Sequence, residues 1–171
     1  MPAQYSDSSG ALLALDTASP RISVALGREG RVLASREAAS GRASPNLLRL
    51  IDELLDETGL SLDGLGGLIG VRGPGSFTGL RVGLSTLLGL HRSLGVPATA
   101  ISTFTALAWQ ARTARGPILT AIDALRDEWF SQLFEPGNPP ASLEPPRLRD
   151  TAAIAASDAT TLTGFDLEPV R

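Results

Sequence analysis

The alternation of apolar and polar residues over the first forty positions is typical of three short β-strands. The apolar run at residues 12–15 ends at Asp16, and two alternating segments, residues 22–27 and 31–36, follow after short turns. Such segments can bury one face and leave the other in solvent. The pattern therefore predicts an antiparallel meander whose first strand ends on a carboxylate.

Apolar residues then recur at helical spacing. Ser44 followed by Pro45 indicates a helix start, and the helix predicted over residues 45–58 carries one apolar stripe. The members of that stripe are Leu47, Leu50, Ile51, Leu54 and Leu55. A strand over residues 66–71, a helix over 78–94, a strand over 98–101 and a helix after Ser102 complete the order β-β-β-α-β-α-β-α. This order is that of an RNase H-like α/β domain with a mixed five-stranded sheet.

A glycine-rich block joins the fourth strand to the second helix. Residues 70–83 read Gly-Val-Arg-Gly-Pro-Gly-Ser-Phe-Thr-Gly-Leu-Arg-Val-Gly, and residues 73–75 favour a sharp turn. Ser76 or Thr78 can then cap the helix. The block is either a turn that merely needs glycine or an anion site at a helix N-terminus.

Gly79 and Gly83 lie four residues apart inside the predicted second helix. Because each glycine in a helix costs roughly 1 kcal/mol relative to alanine, their presence indicates that something approaches the helix backbone closely. Two sources of that approach remain open: the first helix of the same domain, or a partner protein that lies in the shallow groove.

The sequence pattern of the first hairpin is repeated in the second half of the chain. The segment from Asp16 to Ile22 is matched by the segment from Asp123 to Trp129, and in both an apolar strand ends on aspartate and an alternating strand returns. A duplicated fold would produce this match. We therefore expect a flexible leader over residues 1–11, a first domain over 12–116, and an incomplete second RNase H-like domain over 117–171, interrupted by a proline-rich stretch at 136–146.

The amino-acid composition excludes several kinds of catalytic and metal-binding chemistry. Hydrophobic residues make up 43% and charged residues 19% of the chain, and the net charge is -3, which together predict a globular protein without general attraction to nucleic acid. The sequence has no cysteine, its basic residues are all arginine, and His91 is its one histidine. These absences exclude thiolate and Schiff-base chemistry, a Walker A loop and a two-histidine zinc site.

No segment approaches a membrane-spanning length, and we expect a cytoplasmic protein.

Four short motifs in this sequence resemble those of a known protein family. The glycine block, the sequence Leu15-Asp16-Thr17-Ala18, the later Gly95-Val96-Pro97 and Ala121-Ile122-Asp123-Ala124 occur in the order and spacing of the bacterial TsaB (YeaZ) family. The resemblance implies the actin-like ATPase (ASKHA) and RNase H-like fold. It also implies a role in forming threonylcarbamoyladenosine at position 37 of ANN-decoding tRNAs.

The resemblance implies a non-catalytic subunit without catalytic residues or bound metal, which lacks the paired metal-binding histidines of the related catalytic protein TsaD. Implied partners are TsaD, the ATPase TsaE that joins the TsaB–TsaD pair, a second copy when the protein is alone, and tRNA only through the complex. The expected partner and dimer interface lies on the first two long helices. Its residues are Leu47, Leu50, Ile51, Leu54, Phe77, Thr78, Gly79, Arg81, Val82, Gly83, Thr86 and Leu90.

Vestigial nucleotide or phosphate contacts are the second set of candidates. The residues concerned are Asp16, Thr17, Gly73, Gly75, Ser76 and Asp123. No tightly bound cofactor is expected, and ATP or ADP with Mg²⁺ would bind only weakly or at a complex interface. Three alternatives remain open: each aspartate only caps its turn; the chain is a small ASKHA-type ATPase or sugar-kinase-like enzyme using Asp16 and Asp123; or it is a metallopeptidase.

The chain departs from the family pattern in three places. Relatives usually have a histidine where this chain has Ala43-Ser44-Pro45, glycine is common at the position of Asp127, and the C-terminal region is short.

Overall fold

The computed structural model describes residues 10–39, 43–165 and 167, so most of the expected leader lies outside the described residues. The chain divides into two compact units. The first comprises residues up to 72 together with 76–101, and the second comprises residues 73–75 and 102–171.

The first unit contains the predicted meander and two long helices. Its strands are β1 (Ala11–Asp16), β2 (Arg21–Arg28), β3 (Arg31–Ala39), β4 (Leu65–Val71) and β5 (Ala98–Ile101), and its helices are α1 (Ala43–Thr58) and α2 (Phe77–Leu94). The sheet order is β3-β2-β1-β4-β5. β1, β2 and β3 are antiparallel neighbours, while β4 is parallel to both β1 and β5. The predicted mixed five-stranded sheet is confirmed.

One face of this sheet forms the core of the unit. Ile22, Val24 and Leu26 alternate along β2 and are almost fully buried. The apolar residues of α1, together with Leu87 of α2, pack into the same cluster, so both helices lie on one side of the sheet. α2 begins after the cap Ser76 and is followed by Gly95, which has the left-handed φ of 69° that suits glycine.

The second unit repeats the same strand relationships. It contains α3 (Thr103–Gln110), β6 (Ile118–Asp123), β7 (Glu128–Glu135), β8 (Ala141–Ser142), β9 (Arg147–Asp150), α4 (Thr151–Ala155) and β10 (Thr161–Phe165). β6 and β7 are antiparallel and β10 is parallel to β6, just as β1 pairs with β2 and β4. The sequence echo around Asp16 and Asp123 is thus matched by equivalent hairpins.

Two features of this unit differ from the sequence predictions. The helix α3 belongs to the second unit and not to the end of the first, because Phe104, Leu107 and Ala108 pack against β6 and β7 residues such as Ile118 and Phe134. The strands β8 and β9 were not predicted. β8 lies inside the proline-rich stretch, and β9 pairs with β7 from Glu128↔Asp150 to Ser131↔Arg147.

Candidate functional site

The β1–β2 turn is held by the aspartate that ends β1. Asp16 Oδ1 accepts a hydrogen bond from the backbone N–H of Ala18 at 2.8 Å, a local contact by which aspartate stabilises tight turns. Thr17 and Ala18 are both 3% exposed. The turn therefore points its backbone and the Thr17 side chain into the protein.

Those buried groups meet the first turns of α2. Thr17 Oγ1 donates to the carbonyl oxygen of Gly79 at 2.8 Å, and the backbone N–H of Ser76 donates to the Ala18 carbonyl at 2.8 Å. A Cβ atom at residue 79 would lie 1.9 Å from Thr17 O, and one at residue 83 would lie 2.1 Å from Thr17 Oγ1. Only glycine at both positions lets the helix sit this close to the hairpin.

This contact corrects the expected role of Gly79 and Gly83. Both are buried and are covered by Thr17 of their own unit, so they offer no groove to a partner. The element that approaches is the β1–β2 turn, which is neither of the two sources considered from the sequence.

The expected interface residues on α1 lie inside the unit and not on its surface. Leu47, Leu50, Ile51 and Leu54 are at most 3% exposed and lie in the core cluster against the sheet. An apolar stripe on a helix that packs on a sheet is used for that packing first.

The outward side of α2 remains open to a partner. Phe77 is 73% exposed, and the Arg81 guanidinium lies over its ring at 5.6 Å from the ring centroid. Leu84 and Leu88 are 36% and 48% exposed. A shallow depression of about 320 Å³ lies beside them, and its lining residues are Thr78, Arg81, Val82, Ser85 and Thr86.

Of the α2 candidates, Phe77, Thr78 and Arg81 are exposed, whereas Val82, Thr86 and Leu90 are half-buried. The interface candidates chosen from the sequence did not include Leu84 and Leu88, which the structure exposes. The signal that could have found them is their spacing from Arg81, since residues three, four or seven apart share a helix face.

The phosphate candidates are mostly engaged in local structure. Ser76 Oγ accepts from the Gly79 N–H at 3.2 Å as the helix cap. Gly73 has φ 94° and its carbonyl accepts from the Thr103 N–H at 2.9 Å, while Gly75 has φ 152°. In the second unit, Asp123 Oδ1 accepts from Leu125 N–H at 2.7 Å, the same turn-capping contact that Asp16 makes in the first. The structure thus brings Asp16, Thr17, Ser76 and Gly79 together in unit one.

His91 has a local partner as well, since its Nδ1 lies 2.7 Å from the carbonyl oxygen of Val96. Among the described residues, no group of three or more histidine, cysteine, aspartate or glutamate side chains could hold a metal ion. None of the described helices is both long and apolar enough to cross a membrane.

Comparisons with known proteins agree with this architecture. The family described as TsaD, tRNA N6-adenosine threonylcarbamoyltransferase, matches residues 35–138. The tRNA threonylcarbamoyladenosine biosynthesis protein TsaB of Haemophilus influenzae is 40% identical over 125 residues, which are 71% of this chain and 53% of that protein. The protein of the same name from Escherichia coli is 36% identical over 70% of this chain and 52% of its own length. The chain therefore spans about half the length of these two relatives.

Solved structures also show similarity to this family. YeaZ from Pseudomonas aeruginosa is 32% identical, with a TM-score of 0.77 over 88% of this chain and 72% of that one. Component A of the (R)-2-hydroxyglutaryl-CoA dehydratase of Acidaminococcus fermentans, at 13% identity, has a TM-score of 0.53 over 83% of this chain and 48% of that one, which shows a shared fold alone. The two hairpin-led units have the actin-like ATPase and RNase H-like fold. The chain belongs to the TsaB (YeaZ) family.

Proposed function

We propose that the chain acts in the biosynthesis of tRNA threonylcarbamoyladenosine, as a non-catalytic subunit that binds TsaD. Its relatives carry the name of that pathway, and its family model is that of the transferase itself. The turn-capping contacts of Asp16 and Asp123 and the backbone contact of His91 support a scaffolding role, because each of these side chains already has a structural task.

The observation that carries the proposal is the outward row of α2. This row consists of Phe77, Arg81, Leu84 and Leu88, which are exposed. The helix that carries them is held against the β1–β2 turn by the Thr17 hydrogen bond. Aromatic side chains and arginine are enriched in protein interfaces, and Leu84 and Leu88 add exposed apolar surface beside them. A rigid helix also loses little conformational entropy when it docks. We assign this row, in place of the sealed Gly79–Gly83 face, to TsaD.

The remaining partners follow from the same assignment. TsaE joins the TsaB–TsaD pair, tRNA is contacted through the complex, and the isolated chain pairs with a second copy. ATP or ADP with Mg²⁺ binds weakly or only at the complex interface, and the protein works in the cytoplasm.

The test is the threonylcarbamoyladenosine content of tRNA in cells that lack the native gene for this protein, measured by mass spectrometry of nucleosides. Expression of the wild-type chain should restore the modified nucleoside. The Phe77→Asp/Leu88→Asp variant should fail to restore it, and the matched control Val32→Asp/Leu143→Asp, at other exposed apolar positions, should succeed. Full restoration by the α2 variant would refute the assigned surface, and failure of the wild-type chain would refute the function.

A further inference from the structure

The end of helix α3 exposes a tryptophan that is covered on one side by an arginine. Trp109 is 43% exposed, although the preceding residues Leu107 and Ala108 are buried. The Arg112 guanidinium lies over the Trp109 ring at 4.9 Å from the ring centroid, and its Nη1 donates to the Trp109 carbonyl oxygen at 2.9 Å. The ring and the guanidinium are therefore held as a fixed pair at the surface of the second unit.

The residues that follow α3 present a second arginine beside this pair. Ala111 and Ala114 are partly buried against the core that α3 forms with β6 and β7, and the Ala114 N–H donates to the Ala111 carbonyl at 2.9 Å. Arg112 and Arg115 each follow one of these alanines and are exposed. Because the alanines anchor the segment, little conformational freedom is lost when a ligand binds its arginines.

The charge of these arginines has no ionic partner within the described chain. The sequence over residues 64–122 contains no acidic residue. Glu135 and Asp158 belong to the same end of the second sheet, yet Arg112 and Arg115 form no ion pair with them or with any other described residue. Since the chain as a whole has a net charge of -3, attraction to a polyanion must come from local groups such as these.

We propose that Trp109, Arg112 and Arg115 bind a single-stranded segment of RNA, with an unpaired base stacked on the indole ring and backbone phosphates on the two arginines. Single strands are bound by aromatic rings that stack bases and by cations that follow the backbone, and proteins read the loops of folded RNA in the same way. An acidic protein segment would need the arginines but not an aromatic ring fixed under one of them. The inference rests on the proposed function and gives this chain itself a share in the tRNA contact of the complex.

Tryptophan fluorescence tests the stacking contact directly, in a titration of the purified chain with a tRNA transcript at low salt. The chain has two tryptophans, and Trp129 is only 3% exposed, so a stacked base should quench Trp109 alone. We expect quenching in the wild type and none in Trp109→Ala. Fluorescence anisotropy of labelled tRNA should show roughly tenfold weaker binding by that variant.

The salt dependence of binding tests the two arginines. Each phosphate contact to a single strand contributes about -0.7 to the slope of log affinity against log salt concentration, so Arg112→Ala/Arg115→Ala should make the slope less negative by about 1.4. Its affinity at low salt should fall roughly tenfold or more. The matched control Arg31→Ala/Arg126→Ala removes two exposed arginines at other places and should leave the slope and the affinity close to those of the wild type. Thermal unfolding midpoints establish that every variant is folded.

Three results would overturn the proposal: no tRNA binding by the wild-type chain, tRNA binding without quenching of Trp109, or wild-type affinity in both folded variants of the site. Competition by poly-glutamate as strong as that by unlabelled tRNA would also overturn it and assign the arginines to an acidic protein segment. The proposed function fails by a different result, which is failure of the wild-type chain to restore the modified nucleoside in cells. It stands if the chain restores that nucleoside while the variants of the site bind tRNA normally.

Discussion

Thr17 and Gly79 contact each other in two ways at once. The Thr17 hydroxyl donates to the Gly79 carbonyl at 2.8 Å, and the Thr17 carbonyl occupies the space that a Cβ at residue 79 would need, 1.9 Å from its position. The turn between two strands therefore contacts the first turns of the helix through the Thr17 carbonyl and hydroxyl, and the helix contributes no side chain at residues 79 and 83. The outward row of α2 is presented from this fixed support.

Replacement of Gly79 by alanine should destabilise the first unit. The added Cβ would meet a backbone oxygen, which cannot rotate away, so we expect a loss of about 2–3 kcal/mol in the free energy of unfolding. Gly89→Ala is the matched control in the same helix, because nothing lies within 4 Å of its Cβ position, and it should gain about 0.5–1 kcal/mol. Urea unfolding measures both. Equal stabilities of the two variants would contradict the close contact.

A double-mutant cycle isolates the contact between Thr17 and Gly83. The Cβ of Gly83→Ala would lie 2.1 Å from Thr17 Oγ1, so the cost of this substitution should fall by about 1–2 kcal/mol when Thr17→Ala removes that hydroxyl. The same background should not rescue Gly79→Ala, since the Thr17 carbonyl remains. Rescue of both glycine variants, or of neither, would show that the two contacts are not as described.

Asp16 should act through its turn and not through its charge. Asp16→Asn keeps an oxygen that can accept from Ala18 N–H and should leave both stability and tRNA modification unchanged. Asp16→Ala loses that hydrogen bond and should cost about 1 kcal/mol in unfolding free energy. A stable Asp16→Asn protein that no longer supports modification would instead favour the ATPase alternative, and calorimetry with Mg-ATP on the wild-type chain would then show tight binding.

Much of the first unit could be predicted from its residues. The alternation at Ile22, Val24 and Leu26 and the cap at Ser76 are local signals, and each led to the element that the structure shows. The strands β8 and β9 could not be found in this way. Their pairing with β7 is long-range, and the prolines around them are residues that usually mark loops.

In the candidate site too, local sequence signals predicted some features, whereas long-range contacts could not be predicted. Glycines at 79 and 83 indicate a close approach, but the helical spacing does not say what approaches, and the answer, Thr17, lies 62 residues before Gly79. The stripe from Leu47 to Leu54 likewise does not say whether it faces a sheet or a partner. Only the three-dimensional arrangement separates the buried side of α2 from its outward row.

The central claim is that the outward row of α2 binds TsaD. The most direct test of it is the affinity of the purified chain for TsaD, measured by calorimetry. Phe77→Ala/Leu88→Ala should weaken binding by about 2 kcal/mol or more, roughly thirtyfold, with an unchanged unfolding midpoint. The control Val32→Ala/Leu143→Ala should bind like the wild type. Wild-type affinity in the α2 variant, or no binding by the wild-type chain, would contradict the account.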